Sequence, residues 1–243
     1  MNSKIDVFST AFSLQEEVAR GKTIVVIDVL RASSTIVTAL GNKAKGVVPV
    51  ADMGEAHKIA QNLDASQYLL CGERDGKKIE GYHLGNSPQE YTEDAVGGKT
   101  LIFNTTNGTK AIARSVGAES VIIGSFLNLG AVVEELKASE GEILLLCAGW
   151  KNRLSLEDML CAGKMVHELA GGQLPETASD GAKVAFVLYE RFANDIEGVI
   201  MSSNHAQRLK NLVDGSDISF CSQVNTTNVL PVLKEGIIAD ANG

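Results

Sequence analysis

The sequence predicts an α/β fold, with a largely parallel or mixed sheet flanked by helices and a helical C-terminal flank. Three observations carry this. Six short apolar runs, rich in β-branched residues, recur up to residue 147, the composition that strands buried on both faces require. Segments with apolar residues at helical spacing separate most of them. The alternation stops after Gly171-Gly172, where helix-period segments dominate.

The expected strands are residues 23–29, 46–50, 67–70, 100–103, 120–123 and 143–147, each too short and too apolar to read as an amphipathic helix. The expected helices are 35–40, 53–63, 109–116, 129–138 and 156–169, the last closed by the glycine pair that supplies a left-handed cap. Residues 71–88 are Gly-rich and carry the turn pair Asp75-Gly76, so they read as a loop or hairpin excursion from the sheet. Residues 181–192 and 196–212 have helical spacing, and 218–221 reads as a weak strand. The word Asn-Thr-Thr-Asn occurs at 104–107 and again at 225–228 with unlike flanks, so no internal duplication is inferred. The expectation is one domain over residues 1–243, with a subdivision near 172 as the alternative.

Composition narrows the function classes. The chain has 243 residues, 44% of them hydrophobic, enough for a substantial core and incompatible with intrinsic disorder. Thirty acidic against 22 basic side chains give a formal charge of −8, with no basic block, which disfavours nucleic acid and anionic membranes as partners. No run approaches the roughly 18 apolar residues of a membrane span. The first twenty residues lack a basic start followed by an apolar block, so no leader is expected and a cytoplasmic location is the default. Four scattered cysteines read as reduced thiols, not as a zinc site. His57 and His167 fall in helical patterns and read as surface or packing residues. Neither a P-loop, a GxGxxG turn, an HExxH helix nor a GxSxG elbow is present.

Ligands in open α/β sheets bind beyond the carboxyl ends of the strands, where helices aim free N–H groups at them. Three strand ends here carry polar words. After the first expected strand come Asp28, Arg31, Ser33 and Ser34, a carboxylate, a cation and hydroxyls at a helix start; the combination suits a metal-assisted phosphate site, or simply an N-cap with a satisfied carboxylate. The run Asn104-Thr105-Thr106-Asn107-Gly108-Thr109 can cradle an oxyanion, or form an ordinary Asn-Gly turn. After residue 147, Gly149 permits close backbone approach, and Glu157 and Asp158 offer oxygens to a hard cation such as Mg²⁺. Ser155 with Asp158 equally forms a helix cap. Glu73-Arg74 stands in the Gly-rich excursion as a lid or a solvated turn, while Ser87, Pro88 and Glu90 read as a helix start.

Taken as a set, Ile27-Asp28-Val29-Leu30-Arg31-Ala32-Ser33-Ser34-Thr35, Cys71-Gly72-Glu73-Arg74, Gly85-Asn86-Ser87-Pro88, Asn104-Thr105-Thr106-Asn107-Gly108-Thr109 and Cys147-Ala148-Gly149 with Glu157-Asp158 and Cys161-Ala162-Gly163 resemble the 2-phosphosulfolactate phosphatase family. The words cover residues 1 to about 165, with a weaker match at 225–231. The resemblance implies a Mg²⁺-dependent phosphatase that converts 2-phosphosulfolactate to 3-sulfolactate and phosphate, a step toward coenzyme M. It shifts the balance to function for Asp28, Arg31, Glu73, Arg74 and Asp158 as catalytic residues. Ser33, Thr105, Thr106, Asn107, Gly108, Gly149, Lys151 and Arg153 then become candidates for substrate binding. Arg31 and Arg74 are the expected anion clamps, and Asp28 with Glu157 or Asp158 the expected Mg²⁺ ligands. The expected partner is a small anionic phosphate or sulfonate.

Two other readings stay open. Cys147 and Arg153 have the spacing of a metal-independent cysteine phosphatase, although Leu154 follows the arginine and no histidine precedes the cysteine. A non-catalytic protein that only binds a sulfonate or phosphate would keep the same donors. Haloacid-dehalogenase chemistry needs a second acid where Leu30 stands. A homodimer is expected, with the apolar residues 184–192 as its face or as core packing.

Overall fold

The computed structural model describes residues 4–213 and 215–242. Among them, ten strands form one sheet: β1 (Ile5–Phe8), β2 (Thr23–Ile27), β3 (Gly46–Pro49), β4 (Tyr68–Arg74), β5 (Lys77–Lys78), β6 (Thr100–Asn104), β7 (Ser120–Gly124), β8 (Ile143–Cys147), β9 (Pro231–Lys234) and β10 (Ile237–Asp240). The helices are α1 (Glu16–Ala19), α2 (Ala32–Gly41), α3 (Met53–Ala60), α4 (Glu93–Val96), α5 (Gly108–Arg114), α6 (Leu129–Ala138), α7 (Leu156–Leu169), α8 (Asp180–Phe192), α9 (Ile196–Ser202), α10 (Asn204–Lys210) and α11 (Ser216–Cys221). No described helix is long and apolar enough to cross a membrane.

The spatial order is β1-β8-β2-β7-β9-β10-β3-β6-β4-β5. Strands β1, β8, β2 and β7 are mutually parallel, and so are β3, β6 and β4. The β9–β10 hairpin joins the two blocks through antiparallel pairings on both sides. Three antiparallel steps leave the blocks running in opposite directions. Twist offsets this reversal: about 20–25° per strand accumulates to roughly 100–125° over the five steps from β2 to β6. The carboxyl ends of both blocks can therefore serve one site.

Side-chain alternation fixes the layers. On β2, Val25 and Ile27 pack with Val132 and Val133 of α6 and Leu160 and Met165 of α7. Its other face, Ile24 and Val26, shares a core with Ile36 and Ala39 of α2, Ala111 and Ile112 of α5, and Leu101 and Phe103 of β6. Helices α2 and α5 are thus enclosed by both blocks. Each large apolar side chain fully buried in these cores contributes about 1.5–3 kcal/mol. On the outer face of β6, Ile102 packs with Ala56 and Ala60 of α3.

Strand β8 and helices α6 and α7 fall where the sequence places them, and the remaining expected strands and helices before residue 170 shift by a few residues at their ends. Asp75 and Gly76 take positive φ of 54° and 88° in the β4–β5 turn, as the excursion reading expects. Three expectations are corrected. Residues 218–221 are helical, within α11; four residues of alternating pattern are too few to separate the two periods. The helix expected over 196–212 breaks at Ser203, whose extended backbone lets its hydroxyl accept a hydrogen bond from Ala206 N–H and restart the chain as α10. Pro88–Glu90 is a single 3₁₀ turn, and the Ser87 hydroxyl donates to Asp217 instead of capping it.

Helices α7 and α8 approach so closely that a Cβ on Gly163 would lie 2.0 Å from the Ala185 carbonyl oxygen. Gly163→Ala is expected to lower stability by about 1–3 kcal/mol through overpacking, although alanine is the better helix former. Urea denaturation checks this, and an unchanged or raised midpoint would contradict the tight crossing.

Candidate active site

Chain leaving β2 enters the site at once. Asp28 is buried beyond the strand, and its Oδ1 accepts the Ala32 N–H at 3.3 Å at the start of α2. The Ser33 hydroxyl accepts the Asp28 N–H at 2.9 Å and donates to Val26 C=O, so it holds the turn together and does not face the cleft. Arg31 follows, 4% exposed, with its guanidinium 2.6 Å from Asp217 of α11 and a second bond to Gly76 C=O. Asp217 also accepts from Ser87 and Gln89, so Arg31 meets a carboxylate already well supplied with donors.

The loop after β6 contributes next. Thr105 exchanges hydrogen bonds with Thr109 and caps α5 internally. Glu73, at the end of β4, accepts from Thr106 N–H at 2.6 Å, Thr106 Oγ1 at 3.0 Å and Gly76 N–H at 2.6 Å. Both carboxylate oxygens are engaged, which makes Glu73 a strut between the β4–β5 hairpin and the β6 loop. Gly108 is dictated by proximity: a Cβ there would lie 2.4 Å from Ala32 Cβ and 2.9 Å from Asp28 Oδ2.

Beyond β8, Lys151 and Asn152 form a two-residue turn, both at positive φ, closed by reciprocal Trp150 and Arg153 backbone bonds. Asp158, in the first turn of α7, accepts Val29 N–H at 2.8 Å and Gly149 N–H at 3.1 Å, tying together the chain beyond β2 and beyond β8. Its neighbour Glu157 is fully buried, with Oε1 2.8 Å from His205 Nδ1 of α10 and Oε2 lacking a hydrogen-bond partner. The His205 ring stacks on Trp150 at 5.4 Å.

These elements border a cleft lined by Asp28, Arg31, Glu73, Thr106, Asn107, Lys151, Trp150, His205 and Arg208, with Leu30, Asp75, Gly76, Asn86 and Leu209. Six of the expected site residues therefore meet there: Asp28, Arg31, Glu73, Thr106, Asn107 and Lys151. Ser33, Thr105, Gly108, Gly149 and Asp158 lie buried behind it as support. Arg74 points away, 3.5 Å from Asn104 Oδ1, and Arg153 borders a neighbouring groove with Glu157. Trp150, His205, Arg208 and Asp217 were not singled out by sequence reasoning. His205 and Arg208, three residues apart on α10, share a helix face, but no motif marks them.

Crowded burial shifts the acids. Burial pushes Asp28 up to about 6, against the pull of His205 and the Ala32 N–H, with Glu73 and Glu157 raising it further. Burial and the charges of Asp28 and Glu157 drive Asp158 well above the usual carboxylate range. Glu157 goes the other way: burial opposes its charge, but the hydrogen bond and charge of His205 prevail and lower it. The cysteine mechanism is contradicted here. Cys147 lies in the apolar core with its Sγ 3.8 Å from Met159 Sδ; burial and the Asp158 carboxylate hold the thiol neutral, and Arg153 is exposed elsewhere.

Residues 9–236 match the family described as 2-phosphosulpholactate phosphatase. The chain belongs to the 2-phosphosulfolactate phosphatase family. It is similar to three proteins, each named "Probable 2-phosphosulfolactate phosphatase". One, from Caldanaerobacter subterraneus subsp. tengcongensis, is 39% identical over 96% of this chain and 97% of its own. That of Symbiobacterium thermophilum is 44% identical over 91% and 94%. The third, from Thermotoga maritima, is 46% identical over 89% and 91%. Members are phosphoric monoester hydrolases by name, and the resemblance in the strand-end words is thereby borne out.

An acid whose pKa is higher in the folded than in the unfolded chain keeps its proton longer when folded, so it lowers stability as pH rises between the two values. For Asp28 that window runs from 3.8 to about 6 and amounts to about 3 kcal/mol at higher pH. Asp28→Asn is expected to gain about 1–3 kcal/mol at pH 8 and nothing below about pH 4, read from chemical denaturation at each pH. A gain independent of pH would refute the assignment. Asp217→Ala, which strands the Arg31 charge, is expected to cost about 3–5 kcal/mol, and a loss below 1 kcal/mol would show that Arg31 finds another partner.

Proposed function

We propose that this chain hydrolyses 2-phosphosulfolactate to 3-sulfolactate and phosphate with Mg²⁺, on the route to coenzyme M in organisms that make it. The observation that carries the reading is Asp28 lining one cleft with Asn107, Lys151 and Arg208, in a chain whose relatives bear that name across their length. The substrate has a phosphate, a carboxylate and a sulfonate on three carbons and brings about four negative charges beside buried carboxylates. Such a pairing calls for a counter-charge.

Among the described residues, no three His, Cys, Asp or Glu side chains converge as a preformed metal cage. Mg²⁺ does not need one, since it keeps waters and takes phosphate oxygens alongside one or two carboxylates. Asp28 fits as the cleft-facing ligand. Of the two acids of α7, Glu157 is the candidate for the second ligand because its Oε2 has no hydrogen-bond partner, and reaching the ion from the neighbouring groove it lines would take a turn of its side chain; both Asp158 oxygens already take backbone N–H groups. When bound, the ion polarises the phosphoryl oxygens. The protein's own groups orient the ester: the Asn107 amide and Lys151 ammonium offer donors to it, and Arg31 adds the guanidinium hydrogens that Asp217 and Gly76 leave free. Glu73 holds the Thr106 loop still, and Asp158 keeps the chain after β2 in register with that after β8.

Phosphate release from 2-phosphosulfolactate, phospholactate and phosphoglycolate, with Mg²⁺ and with EDTA, tests the reading. Turnover should favour the sulfonated ester, stop in EDTA and fall on the order of a hundredfold or more in Asp28→Asn, while Cys147→Ala retains it. Release that survives EDTA would remove the metal, and no release from any ester, with 3-sulfolactate still raising the melting temperature, would leave a binding protein.

A further inference from the structure

The cleft cations differ in how far their charge is already spent. Arg31 is buried against Asp217, side chains 4% and 3% exposed, and so contributes directed hydrogen bonds more than net charge. Lys151 stands exposed at its turn tip with its ammonium 4.6 Å from the Trp150 ring centroid. Arg208 is different again. It comes from α10, half-buried in the cleft wall, and one guanidinium nitrogen donates to the Asp75 carbonyl at 3.1 Å. No ion pair among the described residues includes it. Gly76 and Leu209 flank it: a Cβ on Gly76 would meet its Nη1 at 3.8 Å, so the hairpin turn packs against the guanidinium.

An arginine with no ion-pair partner among the described residues, its fork oriented by a backbone carbonyl, is built to receive a planar or tripodal oxyanion. Because the Asp75 carbonyl already orders the side chain, little rotamer freedom remains to be lost on binding. We propose that Arg208 is the specificity-determining residue that receives the sulfonate, the acid group one carbon further from the phosphorylated carbon than the carboxylate. The inference rests on the reading under Proposed function and assigns the phosphoryl end to the Asp28 side of the cleft. On this view, α10 supplies the group that separates a sulfonated ester from an ordinary phosphorylated hydroxy acid.

The experiment compares Arg208→Gln and Arg208→Lys with the native enzyme on 2-phosphosulfolactate and on phospholactate, which keeps the carboxylate but lacks the sulfonate. The expected result is a fall in the kcat/KM preference for the sulfonated ester of about tenfold or more in Arg208→Gln, carried mainly by KM, with partial recovery in Arg208→Lys. An equal loss on both esters, or an unchanged preference, overturns the proposal. Calorimetric binding of 3-sulfolactate and of lactate separates this from failure of the catalytic reading. If no ester is hydrolysed but Arg208→Gln weakens sulfolactate binding selectively, the assignment of Arg208 stands. If the native protein does not bind 3-sulfolactate at all, the assignment falls with it.

Discussion

Keeping carboxylates out of water around one cleft is the constraint that organises this molecule. A buried carboxylate needs donors, and here the donors come from elements far apart in the chain. Glu73 joins the β4–β5 hairpin to the loop after β6. Asp158 joins α7 to the chain after β2 and after β8. Glu157 draws α10 in through His205, and Asp217 draws α11 onto Arg31. Val199, Ile200, Ala206, Leu209, Ile218 and Cys221 pack the C-terminal helices into the core, and these acids add the polar ties that fix how α10 and α11 meet the mouth of the sheet.

The same constraint explains why the site is electrostatically tense. Asp28 and Asp158 are raised by burial and by neighbouring acids, so the fold favours their protonated forms and these carboxyls would release protons more readily if opened to solvent. Structures store such tension where chemistry is done, at the expense of stability. Pairing differs around the cleft: Glu73 and Asp217 are saturated with donors, whereas Asp28 Oδ1 takes a single long bond. Saturated acids hold the scaffold, and the undersupplied one lines the cleft.

Much of the sheet is legible in the sequence, because a strand buried on both faces must be a continuous apolar run and such runs are rare elsewhere. Strand β8, ILLLC, shows this. Legibility fails where context decides. Pro231–Lys234 and Ile237–Asp240 are short, carry lysine and aspartate, and pair with β7 and β3 by one register position each, so nothing local marks them as the seam of the sheet. Of the site, the strand-end words are readable because glycines, threonines and acids cluster after apolar runs. Their division of labour is not: Thr105 and Thr106 are adjacent and chemically alike, yet one caps a helix and the other grips Glu73. His205, Arg208 and Asp217 lie on helices whose polar residues look like any solvated face, and only tertiary packing turns that face inward.

The hairpin at the seam also sets the order in which the sheet can be assembled. Strands β9 and β10 leave the ribosome after the other eight described strands, yet they occupy the middle of the sheet, between β7 and β3. Until residue 240 is available, the nascent chain holds two half-sheets, each with an open interior edge. Open edges of apolar strands are templates for pairing with other chains, and long-range closure is slow. During synthesis, the most vulnerable species is therefore a chain made through β8 with β7 and β3 bare, and residues 231–240 work as the keystone whose late arrival closes both edges together.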